Sequence, residues 1–426
     1  MVACGNVCVR QLAQGCWSEY MGLWRFLANV RVTVGKLIEG WSDQTRVAAA
    51  GRHALAIQDT SEIKFATSEG SRRGLGRIKK GNAYGVLLHA MIGVDADSGA
   101  LLGLVGGKVW TRKGDVNVSH AKRELSEKES GRWIDTAEKA KEALAEARMI
   151  TVVDDREGDF YAHWSRTPND KVHLLTRLMN DHALVKGGTV RKAMASLPVV
   201  ATAVLELRER PDRRPRKAHL SLRFTSLVLK RPKDTVEKNL PASVTVNLVE
   251  VIELHPPKDA EPVHWVLLTT HKIKTAADAW QIVDWYKLRW TVEQLFRTMK
   301  LQGLKIEDSQ LATADRLLKM VAIAAKAAAI VIQLVQARDG RDHQPASLAF
   351  TQDEIDAIDA LNTRIQGKIA RQKNPHPKNT LAWAAWVIAK LGGWHEYEAK
   401  PPGPITFHNG LTYFRAFAAG WAFKHG

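Results

Sequence analysis

QIVDWYKLRWTVEQLFRTMKLQG, residues Gln281 to Gly303, is the stretch from which the rest of the sequence is best interpreted. Polar side chains recur in it at steps of three, four, four and three residues, which puts them on one face of a predicted helix. They are Tyr286, Arg289, Glu293, Arg297 and Lys300. The opposite side supplies apolar side chains for a core, namely Val283, Leu288, Val292, Leu295 and Met299.

This polar face carries one carboxylate among three cations and a phenol. One interpretation is a solvated helix face with ordinary pairing between glutamate and basic residues. The other is a site that handles phosphate together with a metal ion. The helix alone favours the solvated face, and the rest of the chain changes that balance.

Composition indicates a globular protein with a polyanionic partner. At about 150 residues per domain, 426 residues predict two or three domains. Hydrophobic residues make up 45% and charged residues 25% of the chain, as in globular proteins. The net charge of +17 points to nucleic acid, with a merely basic enzyme as the alternative.

The three cysteines, Cys4, Cys8 and Cys16, lie at one end of the chain and do not form a disulfide framework. A zinc knuckle would lack a well-placed fourth ligand, so reduced cytosolic thiols are the better interpretation. No signal peptide is visible. The apolar segment Val321 to Val335 is about 15 residues long and contains Lys326, which predicts a buried helix rather than a membrane span. We therefore expect a cytoplasmic protein.

Acidic residues follow two predicted strands. ALAIQDT places Asp59 at the end of the first apolar run, and MITVVDDREGDF places Asp154 and Asp155 at the end of the fourth. The predicted order up to there and beyond is β-β-β-α-β-α-β, and α/β proteins place their chemistry where strands leave the sheet. Between Gly187 and Pro262 short alternating strands predict an all-β insertion. The tail is helical.

Two basic segments accompany this pattern. The glycine-rich loop SRRGLGRIKKGNAYG begins at Ser71, and RERPDRRPRK lies within the predicted insertion. The first could be a solvated loop or a phosphate-contacting one, and the second is interpreted as a basic hairpin or loop of the insertion.

Asp59, Asp155 and Glu293 form a candidate catalytic trio. Phosphodiester chemistry needs oxygen ligands for two hard cations about 3.5–4 Å apart. Taken singly the signals are weak, because Asp-Thr after a strand is commonly a turn or cap and DDREGD could be a surface turn.

Taken together, the motifs resemble a family. The spacing Y-x2-R-x3-E-x6-K resembles the YREK signature of bacterial DDE transposases of the insertion-sequence-four group, most closely the transposon-five type. Supporting segments are LAIQDT, EKESGRW, the Asp-Arg-Glu within DDREGD, WVLLT, YKLRW, and LAW with AKLGG. The resemblance runs from about residue 17 to the C-terminus.

The resemblance implies an α/β fold: an RNase H-like mixed-sheet catalytic core with an inserted all-β module and a helical C-terminal region. The implied divisions are a partial N-terminal helical DNA-binding region (1–48), the core (49–182 and 263–345), the β-rich insertion (183–262) and a helical dimerisation region (346–426).

It also implies roles for single residues. Asp59, Asp155 and Glu293 would bind Mg²⁺ or Mn²⁺, two ions per site, and the Asp-Arg-Glu pattern selects Asp155 over Asp154. The DNA-binding residues would be Tyr286, Arg289 and Lys300 on phosphates, Trp265 on a flipped base, Arg177, and Arg297 on the same basic face.

The implied activity is cut-and-paste transposition through a DNA hairpin. The partners would be double-stranded DNA, both the terminal repeats and the target, and a second copy of the chain. No membrane is involved, and the expected location is the bacterial cytoplasm at the nucleoid. Family members usually carry some tens of residues more before the first aspartate, so one alternative is an N-terminally truncated, non-cleaving, dimerising inhibitor or a decayed remnant of a transposase. A second alternative is another RNase H-like metal nuclease such as a resolvase, which would explain the three carboxylates and the charge but not the YREK spacing or Trp265.

Overall fold

The computed structural model describes residues 1, 6–13, 15–67, 73–78, 83–112, 129–207, 215–233, 235, 237, 239–258, 260–301, 303–340, 343–395 and 401–425. Parts of both basic segments, Cys4 and the start of EKESGRW lie outside these ranges.

The described ranges contain ten strands that form one mixed sheet. They are β1 (His53–Lys64), β2 (Gly76–Arg77), β3 (Tyr84–Asp95), β4 (Leu101–Trp110), β5 (Met149–Asp154), β6 (Val172–Arg177), β7 (Ala201–Leu207), β8 (Arg216–Lys230), β9 (Ser243–Leu254) and β10 (His264–Thr269). Their order is β2-β3-β1-β5-β6-β10-β9-β8-β7, with β4 also beside β3. β1, β5 and β6 are parallel to one another, and the other pairs are antiparallel.

Helices cover both faces of the central strands. They are α1 (Val9–Leu12), α2 (Trp17–Ala28), α3 (Val34–Glu39), α4 (Asp43–Ala49), α5 (Gly131–Ala143), α6 (Tyr161–Arg166), α7 (Val190–Ala195), α8 (Ala276–Lys287), α9 (Trp290–Lys300), α10 (Ala314–Ala337), α11 (Gln352–Ile365), α12 (Leu381–Leu391) and α13 (Pro404–His425). Burial on both faces is why the central strands are apolar almost throughout.

The two faces of β1 belong to different cores. Leu55 and Ile57 pack in the cluster formed with α8, α9 and α10, whereas Ala54 and Ala56 pack with α5 and α6. Side chains alternate along a strand, so Asp59 faces the α8–α10 side and Gln58 faces the α5–α6 side. We call these the front and the back of the sheet.

Asp59 lies within β1 and not at its end as the sequence suggested. β5 accompanies β1 only from His53 to Ile57, whereas antiparallel pairing with β3 continues to Lys64. The acid therefore stands just past the point where the parallel neighbour ends, and the strand itself runs on.

The single helix predicted from Gln281 to Gly303 is wrong in one respect, because it is broken into α8 and α9 at Leu288 and Arg289. Both residues keep right-handed helical torsions, but the bonds there are of the 3₁₀ type: the Leu288 N–H donates to Trp285 O (3.1 Å) and the Arg289 N–H to Tyr286 O (3.0 Å). A 3₁₀ turn inside a helix commonly marks a functional or strained position. The predicted core side is otherwise confirmed, since Val283, Val292, Leu295 and Met299 are buried.

The apolar segment predicted as a 15-residue buried helix is the middle of the longer helix α10, of 24 residues. By length and composition α10 could cross a membrane, but 72% of its most apolar window is buried against the rest of the protein. Lys319 inside it is buried and donates to Leu27 O (3.1 Å) and Asn29 O (3.2 Å). The prediction of a core helix agrees with this packing.

The prediction of an all-β module between residues 183 and 262 is wrong in one respect, because the helix α7 lies within it. Its strands β7, β8 and β9 form, and they continue the central sheet. β10 pairs along its whole length with the middle of β9, and β8 and β7 follow outward. Beyond α10 the chain is helical, with α11, α12 and α13 packed around their own core. A mixed α/β protein with a large mixed sheet and a helical C-terminal region is thus confirmed.

Candidate active site

Three residues of the predicted site meet on the front of the sheet. The Arg289 guanidinium donates through Nη1 to Asp59 Oδ2 (3.1 Å) and through Nη2 to Glu293 Oε1 (2.5 Å). The Asp59 and Glu293 side chains are 20% and 32% exposed and Arg289 is 14% exposed, so the three are partly shielded from water. The break between α8 and α9 places Arg289 where it can reach both carboxylates.

Asp155 stands beside this group. It directly follows β5 in an extended conformation and precedes the 3₁₀ turn Arg156–Gly158. In the described part of the chain its carboxylate makes no hydrogen bond or ion pair. Its charge nevertheless raises the pKa of Asp59 and of Arg289, which places it within electrostatic reach of both.

The ionisation of Asp59 reflects this crowding. Burial raises its pKa to about 7, and the charges of Asp155 and Glu293 push in the same direction. The hydrogen bond from the Thr60 backbone N–H and the Arg289 cation act against this rise without cancelling it. Among the described residues, these three carboxylates thus have one ion-pair partner, Arg289, which pairs with Asp59 and Glu293.

The donor set of this site suits a hard divalent cation. Carboxylate oxygens are the ligands that Mg²⁺ and Mn²⁺ prefer, and a buried carboxylate whose ionisation is suppressed gains most from added positive charge. As they stand, no three His, Cys, Asp or Glu side chains among the described residues are placed to hold an ion together. The Arg289 cation bridges two of the carboxylates in this arrangement.

Tyr286, Trp265 and Arg177 lie next to the same group. Tyr286 is buried and not on an open polar face, and burial raises its pKa to about 12. Its ring is 6.5 Å from the Trp265 ring, in an edge-on arrangement, and 5.8 Å from the Arg289 guanidinium. Arg177 Nη2 donates to the backbone oxygen of His264 (2.9 Å), the residue before Trp265.

Arg297 and Lys300 are placed differently. Arg297 is exposed on α9, and Lys300 ends that helix. Lys300 lies seven residues beyond Glu293, which is about 10 Å along a helix axis at 1.5 Å per residue. The predicted signature is therefore compact at its tyrosine, arginine and glutamate and extends along α9 to its lysine.

The model of the transposase DDE domain matches residues 43–330, which is more than half of the chain. The chain belongs to the DDE transposase family. The domain implies DNA strand cleavage and transfer, and the family generally uses divalent metal ions.

Among solved structures, the chain is similar to the piggyBac transposase in a synaptic complex with hairpin DNA. The TM-score is 0.39 at 10% sequence identity, over 88% of this chain and 54% of that chain. The transposase described here thus spans about half the length of that relative.

On the back of the sheet, the transposase has a buried polar network that the sequence did not reveal. Asp154, fully buried, accepts from or shares a proton with His163 Nε2 (2.6 Å), and His163 Nδ1 pairs with Thr167 Oγ1 (2.6 Å). Neighbouring aspartates therefore serve opposite faces: Asp154 points to the back and Asp155 follows on the front.

A second chain of hydrogen bonds lies behind Asp59. Gln58 Oε1 pairs with His89 Nε2 (3.0 Å), and His89 Nδ1 pairs with Thr60 Oγ1 (2.9 Å). Arg132, from the GRW of the recognised segment, donates through Nε to Thr60 Oγ1 (3.0 Å) and through Nη2 to Glu157 Oε2 (2.6 Å). The residues on both sides of Asp59 are thus tied to the turn that follows Asp155. Strict alternation along β1 was the one sequence signal that could have pointed to Gln58 and Thr60.

Proposed function

We propose that this protein is a cut-and-paste DNA transposase of a bacterial insertion sequence, of the insertion-sequence-four group and the transposon-five type. The observation that carries the proposal is the contact of Arg289 with both Asp59 and Glu293. It joins residues that are 230 and 4 positions apart from Arg289 in the chain, and all three belong to the recognised motifs.

The three carboxylates have the roles of metal ligands in this proposal. Asp59, Asp155 and Glu293 would hold two Mg²⁺ or Mn²⁺ ions. When bound, two such ions activate the attacking oxygen and stabilise the leaving one. Arg289 then releases the two carboxylates and binds a DNA phosphate, because its planar guanidinium also fits the geometry of phosphate oxygens.

The aromatic residues beside the carboxylates position the DNA. Trp265 stacks on a base extruded at the cut end, and its edge-on contact with Tyr286 holds the indole close to the reacting phosphate. Arg177, Arg297 and Lys300 contact the DNA backbone on either side. RNase H-like topology, with its carboxylates on adjacent strands and one helix, is part of the same proposal.

The reaction proceeds in three stages. One strand is cut at the element's end and leaves a free 3′ hydroxyl. That hydroxyl attacks the opposite strand, forms a hairpin and displaces the flanking DNA. The hairpin is reopened and its 3′ end is joined to target DNA, without a covalent protein–DNA link.

The assembly is a homodimer on two DNA ends in the bacterial cytoplasm. The net charge of +17 supports a polyanionic partner. The helical region after α10 offers exposed apolar side chains on α13, Ile405 and Tyr413, that a second copy could cover.

The test is cleavage of a labelled duplex that carries the element's terminal repeat, with Mg²⁺ or Mn²⁺. We expect nicked and then hairpin products, lost in Glu293→Ala, while that variant still binds the duplex. Asp284→Asn is the matched control, because Asp284 is an exposed acid on α8 that pairs only locally with Lys287. Normal cleavage by Glu293→Ala would overturn the proposal.

A further inference from the structure

A small cavity of about 230 Å³ opens beside the end of β6, next to the proposed active site. Three arginines, Arg156, Arg177 and Arg191, line it together with His264, and apolar side chains complete its wall. Among the described residues that line it, none is acidic. We infer that this arginine pocket binds one backbone phosphate of the DNA, adjacent to the phosphate that is cut. The inference rests on the proposed function.

The arginines of the pocket differ from several other arginines of the protein in their interaction partners. Within the described ranges, none of the three has a carboxylate at ion-pair distance. Arg177 donates only to the His264 carbonyl, and Asp181 accepts from the Arg191 backbone N–H (2.8 Å), not from its side chain. Several other arginines have acid partners, two on β8 and two on or beside helices: Arg216–Glu253, Arg223–Glu250, Arg132–Glu157 and Arg289–Asp59.

Three unneutralised guanidiniums around one cavity repel each other. Burial lowers the pKa of Arg177, and the neighbouring charge of Arg156 acts in the same direction. An anion placed among them would remove this repulsion and accept several charge-assisted hydrogen bonds. The fold therefore supplies positive charge for an anionic ligand and, within the described ranges, gives these guanidiniums no ion-pair partner.

The size and lining of the pocket favour phosphate over a larger group. Cofactor and drug-sized sites usually exceed about 300 Å³ and are mostly apolar with aromatic walls. This pocket is smaller, and apart from the His264 imidazole no aromatic ring lines it. A base would lack a stacking partner there, whereas a phosphate would find its donors.

The wall of the pocket is firmly built. Asp159 is buried, and its Oδ2 accepts from the backbone N–H groups of Met179 (2.7 Å) and Asn180 (2.9 Å). These bonds tie the segment after β6 to the turn after Asp155. Arg156, which follows Asp155 directly, is thereby held on the same side as Arg177.

The position of the pocket identifies which phosphate it would hold. Arg156 directly follows Asp155, and Arg177 is the last residue of β6, so the pocket adjoins the carboxylates on the β5–β6 side. Lys300 lies at the C-terminal end of α9 and does not line the pocket. A DNA strand whose cut phosphate lies at the carboxylates would bring a neighbouring phosphate to the arginines.

The test uses a set of terminal-repeat duplexes, each with one phosphate replaced by a neutral methylphosphonate. Binding is measured without metal for the wild type, Arg191→Gln and Arg156→Gln. We expect one phosphate near the cut whose neutralisation weakens wild-type binding about tenfold but barely changes binding by either variant. Arg364→Gln, which removes an exposed arginine of α11, should behave like the wild type at that position.

Two results would overturn the inference. One is that each variant loses as much affinity as the wild type at every neutralised phosphate. The other is that an abasic nucleotide, and not a methylphosphonate, removes the difference between variant and wild type, since the pocket would then hold a base. Arg191→Lys, which keeps the charge, should restore part of the effect if the variants are folded.

Failure of the pocket and failure of the proposed function are distinguishable. The assay needs no catalysis, so a protein that binds DNA without cutting it can still show the phosphate-specific coupling. A protein that cuts DNA normally but shows no coupling would remove the pocket alone.

Discussion

The front and the back of the β1–β5 strand pair carry polar residues at neighbouring positions but satisfy them in opposite ways. On the back, Gln58, His89 and Asp154 are completely buried, and each has a hydrogen-bond partner. On the front, Asp59 and Asp155 are partly exposed. Asp59 shares the Arg289 cation with Glu293, and the Asp155 carboxylate has no hydrogen-bond or ion-pair partner among the described residues. The two faces are one residue apart along each strand.

The two faces therefore have different roles, because the back stabilises the fold and the front carries the proposed chemistry. A buried hydrogen-bonded network fixes the backbone on which it lies. Charge without a partner lowers the stability of the fold, and it is retained at sites where a bound ligand neutralises it. The back of the sheet therefore sets the position of the carboxylates, and in the proposed function the front binds cations and DNA.

The largest expected effects come from replacing each of the two neighbouring aspartates, Asp154 and Asp155, separately with alanine. Asp155→Ala should lower cleavage about a thousandfold or more with an unchanged melting temperature, because it removes a ligand and no internal contact. Asp154→Ala should lower the free energy of unfolding by about 2–4 kcal/mol, because it leaves Nε2 of the buried His163 without its partner. Thermal melts and cleavage rates for both variants check this. Equal losses of stability would contradict the division between front and back.

A smaller effect concerns the ionisation of Asp59 without metal. Its pKa in the folded protein is about 7, above the ordinary value of 3.8, so the neutral form is favoured and stability falls as the pH rises through 7. Asp59→Asn cannot ionise and should exceed the wild type by about 2 kcal/mol at pH 8, with little difference near pH 4.

Added Mg²⁺ should narrow that gap at pH 8, because only the wild type gains a full set of carboxylate ligands. Melting temperatures across pH 4 to 8, with and without metal, provide the measurement. If the difference in melting temperature between Asp59→Asn and the wild type does not change with pH, burial does not raise the pKa of Asp59.

The smallest expected effect lies at the edge of the front, where the contacts are aromatic. Trp265→Ala removes a stacking surface and no carboxylate, so first-strand nicking should change little and hairpin formation should slow about tenfold. Quantifying both products over time separates the two steps. If both steps slow equally, Trp265 has no special role at the extruded base.

Sequence reasoning found the front of the sheet better than the back. Asp59, Asp155 and Glu293 belong to motifs with fixed spacing, and the mixed sheet and helical tail follow from periodicity and the resemblance. The network of Gln58, His89 and Arg132 joins residues that are far apart in the chain, so no local sequence pattern predicts it.

The break at Arg289 escaped prediction for a similar reason. Helical spacing from Tyr286 to Glu293 is uninterrupted in the sequence, and no proline or glycine marks a boundary. The 3₁₀ turn accompanies ion pairs with Asp59 and Glu293, of which the first is a tertiary contact. Tyr286 likewise fits the polar face by spacing but is buried by packing.

The most direct test of the central claim, that the front carboxylates ligate metal, is a metal-rescue experiment with Asp155→Cys. Thiolate is a poor ligand for Mg²⁺ and a better one for the softer Mn²⁺. We predict that this variant is inactive on the terminal-repeat duplex with Mg²⁺ and regains cleavage with Mn²⁺, while Asp170→Cys, at an exposed acid, stays active with both. Full activity of Asp155→Cys with Mg²⁺, or no rescue by Mn²⁺ in a folded protein that binds DNA, would contradict the account.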